Sequence, residues 1–204
     1  MDKRLSSVQN DRMNPDLHSD PGRGPAFLKT ALIFYGLMGA GGYLWLQIAR
    51  GTSVFQLIPP GGRPRIGVEF LLLTAALLLN ILFDWAGPRY FSLLRRFQRS
   101  LRLVIGPLGT SEILILAILS SLGEEILFRG ALQPTLGFLP AALLFALSHF
   151  PIKKELWIWP FYALFMGIIL GFLRLIGGDI WSAVLLHFGV NAVSLYLLSG
   201  KKTN

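Results

Sequence analysis

The chain has 204 residues, 53% of them hydrophobic and 15% charged, with a formal net charge of +8 and no cysteine. A soluble domain is about one-quarter charged, so the composition speaks against an ordinary soluble fold, and the missing thiols exclude disulfides, thiolate metal sites and a cysteine nucleophile. The basic residues sit at the ends of apolar stretches, where they act as topology signals and lipid headgroup contacts rather than as a nucleic-acid surface.

Residues 1–25 are polar and rich in Asp, Asn, Ser and Pro. They lack the short apolar run and small-residue cleavage site of a signal peptide, so they read as a tail, with Phe27 opening a signal anchor that is retained. Six apolar segments follow, at 27–49, 68–86, 111–132, 139–150, 156–176 and 180–199. Five are long enough to span as helices, which takes about 20 residues. The segment 139–150 is short; it is expected to tilt or stop part-way, with Pro151 ending it inside the bundle. Residues 51–65, with Pro59, Pro60, Gly61, Gly62 and Pro64, have the chemistry of a loop. The expected fold is all-α: a polytopic transmembrane bundle of about six membrane segments, filling 26–200 as one domain with a motif-bearing core at 111–199, and a C-terminal tail at 201–204.

Between the second and third segments, Arg95, Arg99 and Arg102 share one helical side, and Tyr90, Leu94, Phe97 and Leu101 share another. That pattern predicts an amphipathic helix lying in a headgroup layer. If all six segments span from an inner N-terminus, this helix, Lys153, Lys154, Lys201 and Lys202 fall on the same side as the basic residues of the tail. The bias favours a cytoplasmic N- and C-terminus in a cell inner or plasma membrane.

A carboxylate at mid-bilayer costs at least about 2.5 kcal/mol on insertion scales. The third segment nevertheless contains Gly123-Glu124-Glu125, with Arg129 four residues beyond Glu125 and within pairing reach. Glu124 is turned by about 100° from Glu125 and has no basic partner on its own face, which suits it to accept a proton from water. The Glu125–Arg129 pair also suits a purely structural role. His149 ends the fourth segment; a lone histidine there is more often structural than catalytic. In the sixth, His187 and Asn191 lie one turn apart and serve either as interhelical hydrogen bonds or as two donors to one oxyanion. Gly167 and Gly171 have the small-xxx-small spacing of close helix packing. Three separate apolar segments thus bring the base, imidazoles and amide of one water-activating site. A proton-coupled transporter also uses buried Glu and His, but it would more naturally show paired repeats and broken helices.

Glu124-Glu125-x-x-Phe128-Arg129-Gly130-x-Leu132, then Phe145-x-x-x-His149, then His187-x-x-x-Asn191 resemble the three motifs of the CPBP (Abi) family of CAAX-processing and bacteriocin-processing endopeptidases, which includes the type II CAAX prenyl endopeptidases. The resemblance covers 111–199. It implies an intramembrane endopeptidase acting on a peptide or protein at the bilayer. It casts Glu124 as the base assisted by His149, His187 and Asn191 as the oxyanion pair, and Glu125 and Arg129 as supporting residues. It also admits members that act only as immunity or scaffold proteins. Either no cofactor is needed or zinc is held by Glu124, His149 and His187; the donor types suit zinc, but the His-Glu-x-x-His spacing is absent.

Overall fold

A computed structural model describes residues 22–50, 65–151 and 153–199. The expected loop at 51–64, most of the N-terminal tail and the C-terminal tail lie outside them. Seven main helices form: α1 (Arg23–Arg50), α2 (Ile66–Tyr90), α3 (Ser92–Ile105), α4 (Thr110–Glu125, carried on by a π-helical stretch Ile126–Leu132 and a last turn Gln133–Leu136), α5 (Phe138–Ser148), α6 (Trp159–Gly177) and α7 (Trp181–Ser199). Among the described residues there is no strand. Helix α1 begins at Arg23, so residues 23–25 belong to it rather than to the tail.

The ends follow local chemistry. Glu112 accepts a hydrogen bond from the Gly109 N–H at 2.7 Å and starts α4. Gly137, at φ +96°, ends it and turns the chain into α5. Gly106, at φ +78°, closes α3, and α3 meets α4 at a bend of 100°. The amphipathic reading of α3 holds: Leu94 and Ile105 are buried, while Arg95, Arg96, Arg99 and Arg102 are exposed. Tyr90, however, is the exposed last residue of α2 and not part of the α3 apolar face.

Four helices are long and apolar enough to cross a membrane, at Gly24–Ala49, Ile66–Tyr90, Lys154–Gly177 and Trp181–Ser199. A fifth span requires joining α3 to Thr110–Leu136 across the bend. The expected segments 111–132 and 139–150 fall short of that measure of length and hydropathy as single helices, for two physical reasons. Every 18-residue stretch of Thr110–Leu136 carries at least three of Glu112, Glu124, Glu125 and Arg129. Helix α5 has 11 residues, a rise of roughly 16 Å against about 30 Å of hydrocarbon. Large apolar side chains such as Leu37, Ile48, Phe70 and Leu71 are exposed on α1 and α2. A soluble surface rarely presents so much contiguous apolar area; a bilayer accommodates it.

Helix α7 is central, packing against α2, α4 and α6, while α1 lies along α4 and α5 along α6. The core includes Phe128, Phe145, Met166, Leu170, Leu173 and Leu186. One end of the bundle gathers positive charge: α3 touches both the 3-10 turn Lys154–Leu156 and the end of α7, where Arg102 donates to the Leu197 carbonyl at 3.3 Å. At the opposite end Trp45, near the close of α1, donates to Thr135 Oγ1 at 3.3 Å.

Candidate active site

The site is built where α1 crosses α4. A Cβ on Gly123 would lie 2.5 Å from the Tyr35 carbonyl oxygen, so glycine is what lets the two backbones approach. That approach brings the Tyr35 side chain against the Glu124 carboxylate. Immediately after Glu125 the helix widens into its π stretch, a feature that recurs at functional sites.

Glu125 is fully buried and its Oε1 accepts two hydrogen bonds. Arg129 Nη1 donates at 3.0 Å and His187 Nδ1 at 2.7 Å. Arg129, itself 1% exposed, donates its Nη2 to the Gly167 carbonyl at 3.1 Å and lies 4.3 Å from the Phe145 ring centre. One turn on, Gln133 Nε2 donates to the Gly171 carbonyl at 2.9 Å. The small-residue spacing of α6 therefore does more than pack: bare glycine surfaces leave two carbonyls open to donors from α4.

Glu124 faces the other way. Its Oε2 is buried without a direct hydrogen bond and lies 3.7 Å from His149 Nε2 and 3.8 Å from His187 Nε2. His149 sits just past the end of α5, between Phe145 and Trp159, with ring centres 4.7 and 5.5 Å away. Its Nδ1 is 2.8 Å from the Phe145 carbonyl oxygen. A carbonyl only accepts, so Nδ1 carries the proton and Nε2 presents a lone pair in the neutral ring. The same logic applies to His187, whose Nδ1–H donates to Glu125. Asn191 Nδ2 donates to Ser120 Oγ at 2.8 Å. Glu124, His149, His187 and Asn191 line one cavity of about 90 Å³ with Tyr35, Phe145, Trp159 and Tyr162.

The four residues singled out by their cost in a membrane thus lie together. Helix α5 ends at Ser148, short of Pro151, which leaves His149 inside the bundle rather than beyond it. Two details differ from expectation. His187 bridges Glu125 and Glu124 instead of acting only beside Asn191, and Asn191 already engages Ser120. Sequence reading also missed Tyr35, Ser120, Asn80 and Asp84. Tyr35 and Ser120 are ordinary in an apolar helix; Asn80 and Asp84, four apart in the second segment, carried the same cost signal as Glu124. A further polar group, Glu69 with Ser182, joins α2 to α7 at the far end.

Glu124, His149 and His187 offer the donor types of a zinc site, but among the described residues no group of three His, Cys, Asp or Glu is set to hold a metal ion as it stands.

Residues 107–193 match the family model for type II CAAX prenyl endopeptidase Rce1-like proteins. The chain is also 32% identical over 82 residues to the uncharacterized protein YpbD of Bacillus subtilis (strain 168), a match that covers 40% of this chain and 43% of that protein. No solved structure matches significantly. The matched stretch holds all three motifs and every residue lining the cavity at Glu124 except Tyr35, and over residues 107–193 it bears out the resemblance to the CPBP family of CAAX-processing and bacteriocin-processing endopeptidases.

Proposed function

We propose that the chain is an intramembrane endopeptidase that cuts a membrane-associated peptide with water activated by Glu124. The observation that carries this reading is the convergence of Glu124 Oε2 with two imidazole Nε2 atoms, at 3.7 and 3.8 Å, in a cavity enclosed by apolar helices. Such separations are too long for direct hydrogen bonds and suit a single bridging water.

In this scheme Glu124 takes a proton from water while His149 orients it, and the water oxygen bonds to the scissile carbonyl carbon. The developing oxyanion is met by the second N–H of Asn191 and by His187. To donate from Nε2, His187 must be protonated on both nitrogens, and Glu125 is placed to stabilise that imidazolium. Glu124 then returns the proton to the leaving nitrogen as the C–N bond breaks, yielding a carboxylic acid and an amine. Glu125 and Arg129 position rather than react. The N- and C-termini are assigned to the cytoplasmic side, and 26–200 to one membrane domain.

The test is a mass-spectrometric comparison of peptides in membranes carrying the wild-type chain or Glu124→Gln. A substituted general base costs about 10²–10⁴-fold in rate, so product peptides should disappear in the variant while the protein remains folded. Identical peptide populations would sink the reading. Zinc content measured on the purified chain tests the side-chain-only chemistry separately; one tightly held zinc per active chain would replace it with a metal-assisted step.

A further inference from the structure

Beside the catalytic cavity lies a second one of about 180 Å³, bounded by α1, α2, α3, α4, α6 and α7. The two share Tyr35, Trp159, Tyr162, Val190 and Asn191 as walls, so the second cavity adjoins the one at Glu124. Its lining is mostly apolar, with Phe97, Leu101, Val104 and Leu195 among the walls. One carboxylate interrupts them. Asp84 lines the cavity, and its Oδ2 accepts a hydrogen bond from Ser194 Oγ.

We propose that this cavity binds a cationic side chain of the substrate, Lys or Arg, with Asp84 as the specificity-determining carboxylate. The inference rests on the endopeptidase reading and names the substrate class. An intramembrane carboxylate is costly and calls for a partner. A mere tie between α2 and α7 needs only a neutral amide. Among the described residues Asp84 forms no ion pair. Of the α3 arginines, Arg95 donates to the Pro88 and Arg89 carbonyls and Arg102 to the Leu197 carbonyl, and none of Arg95, Arg96, Arg99 and Arg102 lines the cavity. Gln98 reaches the backbone carbonyl of Asp84, not its carboxylate. One turn before Asp84, buried Asn80 donates to the Tyr162 hydroxyl at 2.7 Å and keeps an Oδ1 without a hydrogen-bond partner. Ser194 and Asn80 are hydrogen-bond partners of the Asp84 carboxylate, but both are neutral; an ammonium or guanidinium supplies the missing opposite charge.

The test uses the full chain in lipid vesicles with synthetic apolar peptides. One set carries a single Lys at varied positions; the matched set carries norleucine, which keeps the stem and removes the charge. Cut bonds are mapped by mass spectrometry for the wild type, Asp84→Asn and Glu124→Gln. The wild type should cut Lys peptides ~10-fold or more faster, at a fixed distance from the Lys. Asp84→Asn should lose the preference and cut both sets at one rate, with its folding checked by an unchanged thermal unfolding midpoint in detergent. A wild type indifferent to Lys, an unchanged preference in Asp84→Asn, or loss of both activities in Asp84→Asn each overturns the assignment. Equal cutting by the wild type and Glu124→Gln overturns the endopeptidase reading instead, and this one with it.

Discussion

His187 Nδ1 lies 2.7 Å from Glu125 Oε1, the same oxygen that takes the Arg129 guanidinium at 3.0 Å. A single buried carboxylate therefore neutralises a cation on its own helix and fixes the tautomer of a ring on another. It aims the remaining nitrogen of His187 at Glu124. The paired glutamates divide their work by direction: Glu125 inward to Arg129 and His187, Glu124 into the cavity.

Removing one partner of such a buried pair leaves an uncompensated charge, at a cost of about 3–5 kcal/mol. Arg129→Met is expected to lower the thermal unfolding midpoint of the purified protein in detergent micelles. Adding Glu125→Leu should recover much of that loss, because both charges are then gone, while leaving His187 without its orienting partner. An Arg129→Met protein as stable as the wild type would show that the pair contributes little.

Asn191 has two N–H bonds, and Ser120 takes one of them. An oxyanion donor is worth about 10²–10³-fold in rate, so Asn191→Ala is expected to reduce turnover by that amount with little change in KM. Ser120→Ala leaves both N–H bonds intact and removes only their orientation; its loss should be smaller, roughly 10-fold or less. Turnover of one cleaved peptide, once identified, checks both. Equal losses would mean that Ser120 acts on substrate itself.

Most of this site was legible because a membrane makes polar residues conspicuous. Glu124, Glu125, Arg129, His149, His187 and Asn191 each stand out against apolar neighbours, and the helical period alone assigned Glu124 and Glu125 to different faces. The span count was less legible. It is approximate where charge and length trade against each other, in Thr110–Leu136 and in the 11-residue α5. The π stretch had no signal at all: it is a property of how α4 packs, not of Ile126–Leu132 as a sequence. Tyr35 was invisible for a related reason, since only the close approach at Gly123 brings it to Glu124.

Gly167 is the hinge between packing and chemistry. A Cβ there would lie 3.2 Å from Phe145 Cδ1 and 3.4 Å from the Ala142 carbonyl oxygen. Phe145 in turn contacts Arg129, His149 and His187. Gly167→Val is expected to push α5 off α6, at about 1–3 kcal/mol of overpacking strain, and to move His149 away from Glu124. The thermal unfolding midpoint should fall moderately and turnover should fall further than stability alone explains. Full turnover in a folded Gly167→Val protein would show that this contact does not set the site's geometry.

The absence of cysteine makes the orientation directly measurable. Phe27 of α1 meets α3 residues across the larger cavity, and the 3-10 turn at Lys154 and the end of α7 both touch α3. The exposed arginines of α3 and the exposed Lys153 and Lys154 therefore share one end of the bundle. The proposed orientation, which rests on the excess of Lys and Arg on cytoplasmic loops, puts that end in the cytoplasm. Ser100→Cys and Lys154→Cys, introduced singly, should react with a membrane-impermeant maleimide only when the cytoplasmic face is opened. Leu136→Cys, exposed at the far end of α4, should react from the outside of intact cells. Labelling of Ser100→Cys and Lys154→Cys from opposite sides would break the packing of α3 on the 154–156 turn. Labelling of both from outside would keep that packing and invert the orientation, moving the N- and C-termini out of the cytoplasm.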